Sequence, residues 1–180
     1  MIDFSINLEP DPALLAAIDS ALFVPTEYCP FGTNTINQTL HEPVRLCPAA
    51  VSIETKTDRA GLADADVKLA VWMAAWRSRM MPLVDWQLKM GPSARCITQL
   101  GITAVGETWK LYFLVDNGIT LGAPRLRLLE YPEAIGCTRT VLGVYQLIAV
   151  LRHLCTWADR YFRDWVMDAL GCQKQVAADK

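Results

Sequence analysis

The sequence predicts an α/β domain: a mixed sheet flanked by helices, with a long helix at the C-terminus. Three observations predict this architecture. Two short runs predict strands: Ile2 to Leu8 alternates apolar and polar residues, which is typical of a half-buried strand, and Val51 to Lys56 is a β-branched run. A stripe of apolar residues at helical spacing follows the second run. A third apolar pattern, from about Arg139 to Leu170, has the length of a long final helix.

Length and composition favour a single domain with a large core. The chain has 180 residues, of which 52% are hydrophobic and six are Trp. We expect this composition to leave apolar surface for a partner or a small apolar ligand. Residues 1–170 are assigned to one domain, and residues 171–180 to a C-terminal tail that frays.

The charge balance does not favour a nucleic-acid partner, although it does not exclude one. The net charge is −2 and the pI is about 5.7, whereas proteins that grip a phosphate backbone usually carry a basic face. Some arginines could converge in space and form a basic patch, although arginines more commonly lie separately on the solvated surface. These are Arg77, Arg79, Arg125, Arg127 and Arg139.

The cysteines and the hydropathy indicate a reduced, intracellular protein, cytoplasmic or nuclear. Six cysteines are scattered without C-x-x-C spacing, and we expect no signal peptide. With only His41 and His153 available, a Cys/His zinc site has little support. The longest apolar run, Thr140 to Leu151, is too short to span a bilayer, so we expect no membrane association.

The first helix and the loop after it can be placed from their residue types. Asp11 can cap a helix that has Pro12 in its first turn and continues to Leu22. The segment Val24 to Cys47 is loop-like. Such a long excursion between two strands is either a lid or substrate-contacting flap, or a disordered insertion, and both interpretations stay open.

A second helix is predicted to start at Asp64 or Asp66 and to run to about Met81, where Pro82 ends it. Its apolar stripe is more typical of a core than of a ligand-binding surface. The stripe consists of Leu69, Met73, Trp76 and Met80.

The second half of the chain is predicted to form strands followed by the final helix. The strands are Cys96 to Leu100, Ile102 to Val105 and Thr108 to Val115. Asp116-Asn117-Gly118 predicts a hairpin turn, because Asn-Gly tolerates positive φ angles. Ile119 to Leu129 then returns as a strand interrupted by Pro124, and Thr138 can cap the final helix.

The stretch Val51-Ser52-Ile53-Glu54-Thr55-Lys56 carries the candidate chemistry. Alternate side chains of a strand leave opposite faces, so Glu54 and Lys56 share one side, about 6–7 Å apart along the strand. One metal ion, water or phosphate oxygen could touch both. Most E-x-K triplets on strands are only half-exposed cross-strand charge pairs. A second acid, Asp3, lies on the polar face of the first predicted strand.

The order of these features resembles a known family. A strand Asp, a strand E-x-K and then a helix occur in the segments IDFSINLEPDPALLAAI, LHEPVRLCPAAVSIETKT, ADVKLAVWMAAWR, ETWKLYFLV and CTRTVLGVYQLIAVLRHLCTW. With these, the chain resembles the PD-(D/E)XK nuclease-like domain common in fungal proteins. The most specific pieces are SIETK and TRTVLGVYQ. The resemblance covers nearly the whole chain and implies a restriction-endonuclease-like fold.

The resemblance also implies a hydrolase, a nuclease that cleaves phosphodiester bonds with Mg²⁺. Asp3, Glu54 and Lys56 would be its catalytic residues. Asp3 and Glu54 would hold the metal, with a backbone carbonyl assigned to Thr55, and Lys56 would orient the attacking water or stabilise the developing charge.

Two departures keep other functions open. Lys68 lies where many relatives carry Gln, and the family core normally has a helix and a strand ahead of the Asp-bearing strand, a layer that a second copy of the chain could supply. The site could therefore be degenerate. One alternative is a repurposed fold acting on a small apolar molecule of fungal secondary metabolism, like a cyclase or isomerase, with Glu54 and Lys56 as acid and base in a pocket lined by Trp and Met. The other is a non-catalytic interaction module.

Overall fold

Five strands form one mixed sheet in the computed structural model, which describes residues 2–23, 34–58, 61–88, 97–120 and 123–171. The strands follow one another across the sheet in chain order. Only the β2–β3 pair is parallel, and the other pairs are antiparallel. The predicted mixed sheet with flanking helices is therefore confirmed. The strands are β1 (Phe4–Asn7), β2 (Ala49–Lys56), β3 (Gln99–Val105), β4 (Thr108–Thr120) and β5 (Ala123–Cys137).

Four α-helices and two short helical segments accompany the sheet in the described ranges. The α-helices are α1 (Pro12–Leu22), α2 (Leu62–Leu88), α3 (Val141–Trp157) and α4 (Arg163–Ala169). A 3-10 turn spans Glu42–Val44, and a π-helix at Ala158–Phe162 joins α3 to α4 without a break.

The helix starts test the two predicted caps. Asp11 caps α1 as predicted, since its Oδ1 accepts a hydrogen bond from the Leu14 amide at 2.8 Å. The predicted cap at Thr138 is wrong. Thr140 caps α3 instead, accepting from the Gly143 amide at 3.0 Å. Both threonines precede the apolar run, and only the hydrogen-bond geometry separates them.

Helix α2 carries the chain from β2 to β3, as a parallel strand pair requires. It packs so closely on the sheet that a Cβ at Gly101 would lie 2.6 Å from the Met73 sulfur. The stripe predicted for this helix is buried, so its assignment to the core is confirmed. The exposed fraction of Leu69, Met73, Trp76 and Met80 is at most 1%.

Pro82 does not end α2, contrary to the prediction, because the helix continues to Leu88. A proline inside a helix removes one hydrogen bond and crowds the preceding turn. The turn before Pro82 is held by buried side chains, Arg79 and Met80. Tertiary packing therefore offsets the destabilising effect of Pro82, and the helix continues through it.

The predicted turn at Asp116-Asn117-Gly118 is also wrong. Strand β4 runs on to Thr120, and its register against β5 shifts between Asp116 and Ile119. The Asn-Gly pair lies at this irregularity of the β4–β5 register. Pro124 does not interrupt β5 but pairs with Ile119. It is tolerated because β5 is the last strand of the sheet, where a missing backbone donor costs little.

The described part of the long loop is fixed rather than loose. The Asn37 amide nitrogen donates to the carbonyl oxygens of Val44 and Cys47 at 2.6 and 2.8 Å, and its oxygen accepts from the Ala49 amide. Arg79 of α2 donates through Nε to the Thr35 carbonyl at 3.0 Å. Residues 24–33 of the predicted loop, and residues 172–180 of the predicted tail, lie outside the described residues.

The stretch Val141–Ala169 is long and apolar enough to cross a membrane by length and composition. It is longer than the apolar run from Thr140 to Leu151, from which no membrane span is expected. Core helices of soluble proteins meet the same criterion, so one such stretch is weak support for a membrane span. Leu147 and Leu154 face the core, whereas Leu142 and Tyr145 are exposed.

Candidate active site at the end of strand β2

The two strands predicted to carry the site lie side by side. Phe4 of β1 pairs with Ile53 of β2 in antiparallel register. Asp3, which precedes β1, reaches Thr55: its Oδ2 accepts hydrogen bonds from the Thr55 amide at 2.9 Å and hydroxyl at 2.6 Å. These hydrogen bonds hold the pKa of Asp3 below its usual value, and the charges of Lys56 and Lys68 lower it further. Asp3 therefore lies within the field of both lysines.

Glu54 is buried, with 1% of its surface exposed. Its Oε1 accepts a hydrogen bond from the Lys56 ammonium at 2.9 Å. Its Oε2 is buried too, and no group among the described residues hydrogen-bonds to it. A buried carboxylate oxygen without a partner is costly. This is not the half-exposed charge pair that most E-x-K triplets form, and it favours a functional role.

Helix α2 adds two charged groups to this pair. Asp64 Oδ2 lies 3.0 Å from the Lys56 ammonium and 3.1 Å from that of Lys68. Lys68 also comes within 3.8 Å of Glu54 Oε1. We call Glu54, Lys56, Asp64 and Lys68 the charge cluster. Two carboxylates and two ammonium groups alternate in it, so its net charge is zero.

The sequence alone predicts only a structural role for Asp64, at the start of a helix. One signal was available, since Asp64 and Lys68 have the i, i+4 spacing that brings side chains together on a helix. What the sequence does not show is that the first turn of α2 lies over the end of β2. That placement follows from the crossover between β2 and β3 and brings Asp64 to Lys56.

The contacts within the charge cluster shift two pKa values in opposite directions. Hydrogen bonds from Lys56 and then Lys68 lower the pKa of Asp64. The hydrogen bonds that Lys56 donates to Glu54 and Asp64 raise the pKa of Lys56. Lys56 is therefore a cation and a hydrogen-bond donor at neutral pH. It is poorly suited to act as a base.

Two cavities lie near the candidate site, one beside Thr103 and one beside Asp3. Thr103 lies opposite Glu54 in the β2–β3 register, and it lines a cavity of about 240 Å³ together with Leu62, Val105, Thr108 and Lys110. On the β1 side, a groove of about 330 Å³ runs from Asp3 between β1 and the fixed loop. Its lining includes Phe4, Gln38, His41 and Trp72. The Phe4 ring is 63% exposed.

The residues present partly fit a divalent cation. In the described part of the chain, no group of three or more His, Cys, Asp or Glu residues is placed to hold a metal. Mg²⁺ often uses only one or two protein carboxylates, with water and substrate oxygens completing its shell. The unpartnered Oε2 of Glu54 suits that role. The structure joins Glu54 to Lys56 and Asp3 to Thr55, and the convergence of both carboxylates on one ion stays a prediction.

Three of the five arginines named from the sequence are engaged by acceptor groups of the protein. Arg77 forms an ion pair with Asp116, and Arg139 lies 3.5 Å from Glu107. Arg79 is buried and bound to the Thr35 carbonyl. The side chain of Arg125 lies outside the described residues. Beside Glu54, the candidates for phosphate contacts are the two lysines of the charge cluster.

Comparison with known proteins agrees with this geometry. A family model described as the PD-(D/E)XK nuclease superfamily matches residues 1–163. No curated protein and no solved structure matches the chain. The matched range covers most of the chain and includes the β1–β2 pair, the E-x-K motif and the helix after it. The chain therefore belongs to the PD-(D/E)XK nuclease superfamily, and its mixed sheet with a long C-terminal helical stretch is a restriction-endonuclease-like fold.

Proposed function

We propose that this protein is a metal-dependent nuclease that hydrolyses phosphodiester bonds inside the cell. The observation that carries the proposal is the state of Glu54. This carboxylate is buried at the end of a strand, with one oxygen on the Lys56 ammonium and the other unpartnered among the described residues. Such an arrangement offers a hard oxygen ligand and a fixed cation side by side, which suits phosphoryl chemistry.

Each predicted residue has a distinct part in this proposal. Glu54 and Asp3 would hold Mg²⁺, with the Thr55 carbonyl and water completing its shell. When bound, the ion would polarise the scissile phosphate and lower the pKa of a bound water. Lys56, kept protonated by its neighbours, donates a hydrogen bond to the charge that develops on the phosphate oxygens. Glu54 also positions Lys56 through their 2.9 Å contact.

The groove beside Asp3 supports a polymeric substrate. It opens at the strand edge, and its exposed Phe4 ring could stack on a base. The fixed loop forms its other wall, which favours the flap interpretation of that segment over an insertion without a role. The described Met and Trp residues of the α2 stripe are core residues.

The test is metal binding by calorimetry combined with cleavage of plasmid and single-stranded DNA and RNA. Wild type is compared with Glu54→Gln, which keeps the shape of the side chain and removes its charge. We expect metal affinity and cleavage to fall by at least about tenfold in the variant. Substitutions of residues that only contact a metal ligand already cause losses of about tenfold to a hundredfold. Asp159→Asn is the control, because Asp159 also forms an ion pair, with Arg163 at 2.9 Å, near the end of β2 that is remote from Glu54.

The two variants separate a site effect from a general one. Loss of cleavage in both would point to a nonspecific consequence of removing a carboxylate from an ion pair. A folded wild-type protein that neither binds Mg²⁺ or Mn²⁺ nor cleaves any of these substrates would refute the proposal and leave a non-catalytic interaction module as the hypothesis to pursue.

A further inference from the structure

We propose that Asp64 occupies the place of a substrate phosphate between Lys56 and Lys68, and that nucleic acid binds by displacing it. This inference rests on the proposed function and adds a phosphate-binding subsite to it. Lys68 becomes a substrate-binding residue, and Asp64 becomes an internal competitor for the two lysines.

The geometry is that of an anion held by two cations. One oxygen of Asp64 lies 3.0 Å from the Lys56 ammonium and 3.1 Å from the Lys68 ammonium. A phosphate oxygen could make the same two contacts, and a phosphate has further oxygens for other donors. The two ammonium groups are thus already spaced for an oxyanion before any substrate arrives.

The two carboxylates of the charge cluster differ in how easily they can leave. The Glu54 side chain is 2% exposed and fixed under α2, whereas the Asp64 side chain is 58% exposed. An exposed carboxylate loses little when water replaces its ion pair. Lys56 can therefore keep Glu54 as its permanent partner and exchange Asp64 for a phosphate.

This exchange also answers the objection raised by the overall charge. The chain carries a net charge of −2, and the described arginines with a recorded contact are engaged by carboxylates or a carbonyl. Release of Asp64 frees two ammonium groups beside Glu54. The first turn of α2, from which Asp64 projects, adds partial positive charge at the same place. Local attraction for a phosphate can thus coexist with an acidic protein.

The test measures binding without cleavage. The full chain is titrated against a short fluorescein-labelled single-stranded DNA in EDTA, and fluorescence anisotropy is recorded at several salt concentrations. Asp64→Asn should bind about fivefold more tightly, because one exposed carboxylate contact is worth about that much. Lys68→Gln should bind about fivefold more weakly, and its slope of log affinity against log salt should be smaller by about one.

A matched control is available far from the site. Asp159 is an exposed carboxylate paired with Arg163 at 2.9 Å. It lines a cavity with Asn7, which pairs with Ala49 at the end of β2 remote from Glu54. Asp159→Asn makes the same charge change and should alter affinity by less than about twofold. Asp64→Glu, which keeps a carboxylate, should resemble wild type, and the thermal midpoint of every variant confirms folding.

The outcomes separate this inference from the proposed function. Tighter binding by Asp64→Asn that disappears when Lys68→Gln is added supports the exchange, even if no divalent cation elicits cleavage. An affinity equal to that of Asp159→Asn, or weaker binding, overturns it, even if wild type cleaves DNA with Mg²⁺. Failure of wild type and Asp64→Asn alike to bind the oligonucleotide at low salt also overturns it.

Discussion

The two sides of strand β2 are equally buried and differ in almost everything else. Val51 and Ser52 are neighbours on the chain, and neither is exposed to solvent. Val51 and Ile53 belong to the apolar core, whereas Ser52 and Glu54 carry buried oxygens that find no hydrogen-bond partner among the described residues. Burial alone does not say what a position contributes. On one side it yields stability, and on the other it costs stability and supplies chemistry.

The same division continues into β3. Leu100 and Ile102 lie beside Val51 and Ile53 in register and extend the apolar side. On the other side, Gly101 leaves room for the Met73 side chain, so α2 lies directly over the side of the sheet that carries Ser52 and Glu54. Helix α2 thereby excludes water from the Glu54 carboxylate, which strengthens the contact between Glu54 and Lys56.

The largest effect is expected on the apolar side. Ile102→Ala should lower the free energy of unfolding by about 2–5 kcal/mol, because Ile102 is completely buried and its loss leaves a cavity. Urea unfolding followed by circular dichroism measures this. Val71→Ala, at a position with 64% exposure, is the control and should change little. A loss below about 1 kcal/mol for Ile102→Ala would mean that neighbouring side chains move in to fill the cavity. The apolar side of the sheet would then contribute less to stability than its complete burial predicts.

Glu54→Gln should have a small effect on stability despite complete burial. Removing one member of a buried ion pair is costly when its partner is left alone. Lys56 is not left alone, since Asp64 remains 3.0 Å away. We therefore expect a change below about 1 kcal/mol in the free energy of unfolding, together with loss of cleavage. Destabilisation above about 3 kcal/mol would show that Glu54 is a structural residue and would break the comparison.

Ser52→Ala should leave stability unchanged or raise it by up to about 1 kcal/mol, because it removes a buried hydroxyl without a recorded partner in the described structure. Its neighbour Val51→Ala should instead lower stability by about 1–3 kcal/mol through lost apolar burial. The pair is measured side by side by thermal and urea unfolding. If Ser52→Ala is the more harmful of the two, its hydroxyl has a partner or a function that the apolar side lacks.

Sequence patterns predicted the sides of β2 correctly because alternation is a local property of a strand. They also predicted the buried stripe of α2 and the Asp11 cap, which depend on spacing within one element. Two local signals gave wrong predictions. Pro82 does not end α2 because packing holds the helix together, and Asn117-Gly118 does not form a turn because β4 continues to pair with β5 beyond it. Asp64 was not recognised as a site residue because its contact with Lys56 depends on where the β2–β3 crossover places the start of α2.

The smallest effect concerns Cys47, just ahead of β2, where the buried interior begins. Burial raises the pKa of its thiol, and the charge of Glu9 raises it further. At pH 8 a smaller fraction of Cys47 is thiolate than in an unfolded chain, and only the thiolate reacts with iodoacetamide. We expect alkylation of Cys47, followed by peptide mass spectrometry, to be slower in the folded protein than in the same protein in urea. The difference should shrink as the pH rises. Equal rates at pH 8 would mean that the Cys47 thiol is in full contact with water. The buried part of the chain would then begin after Cys47, within β2.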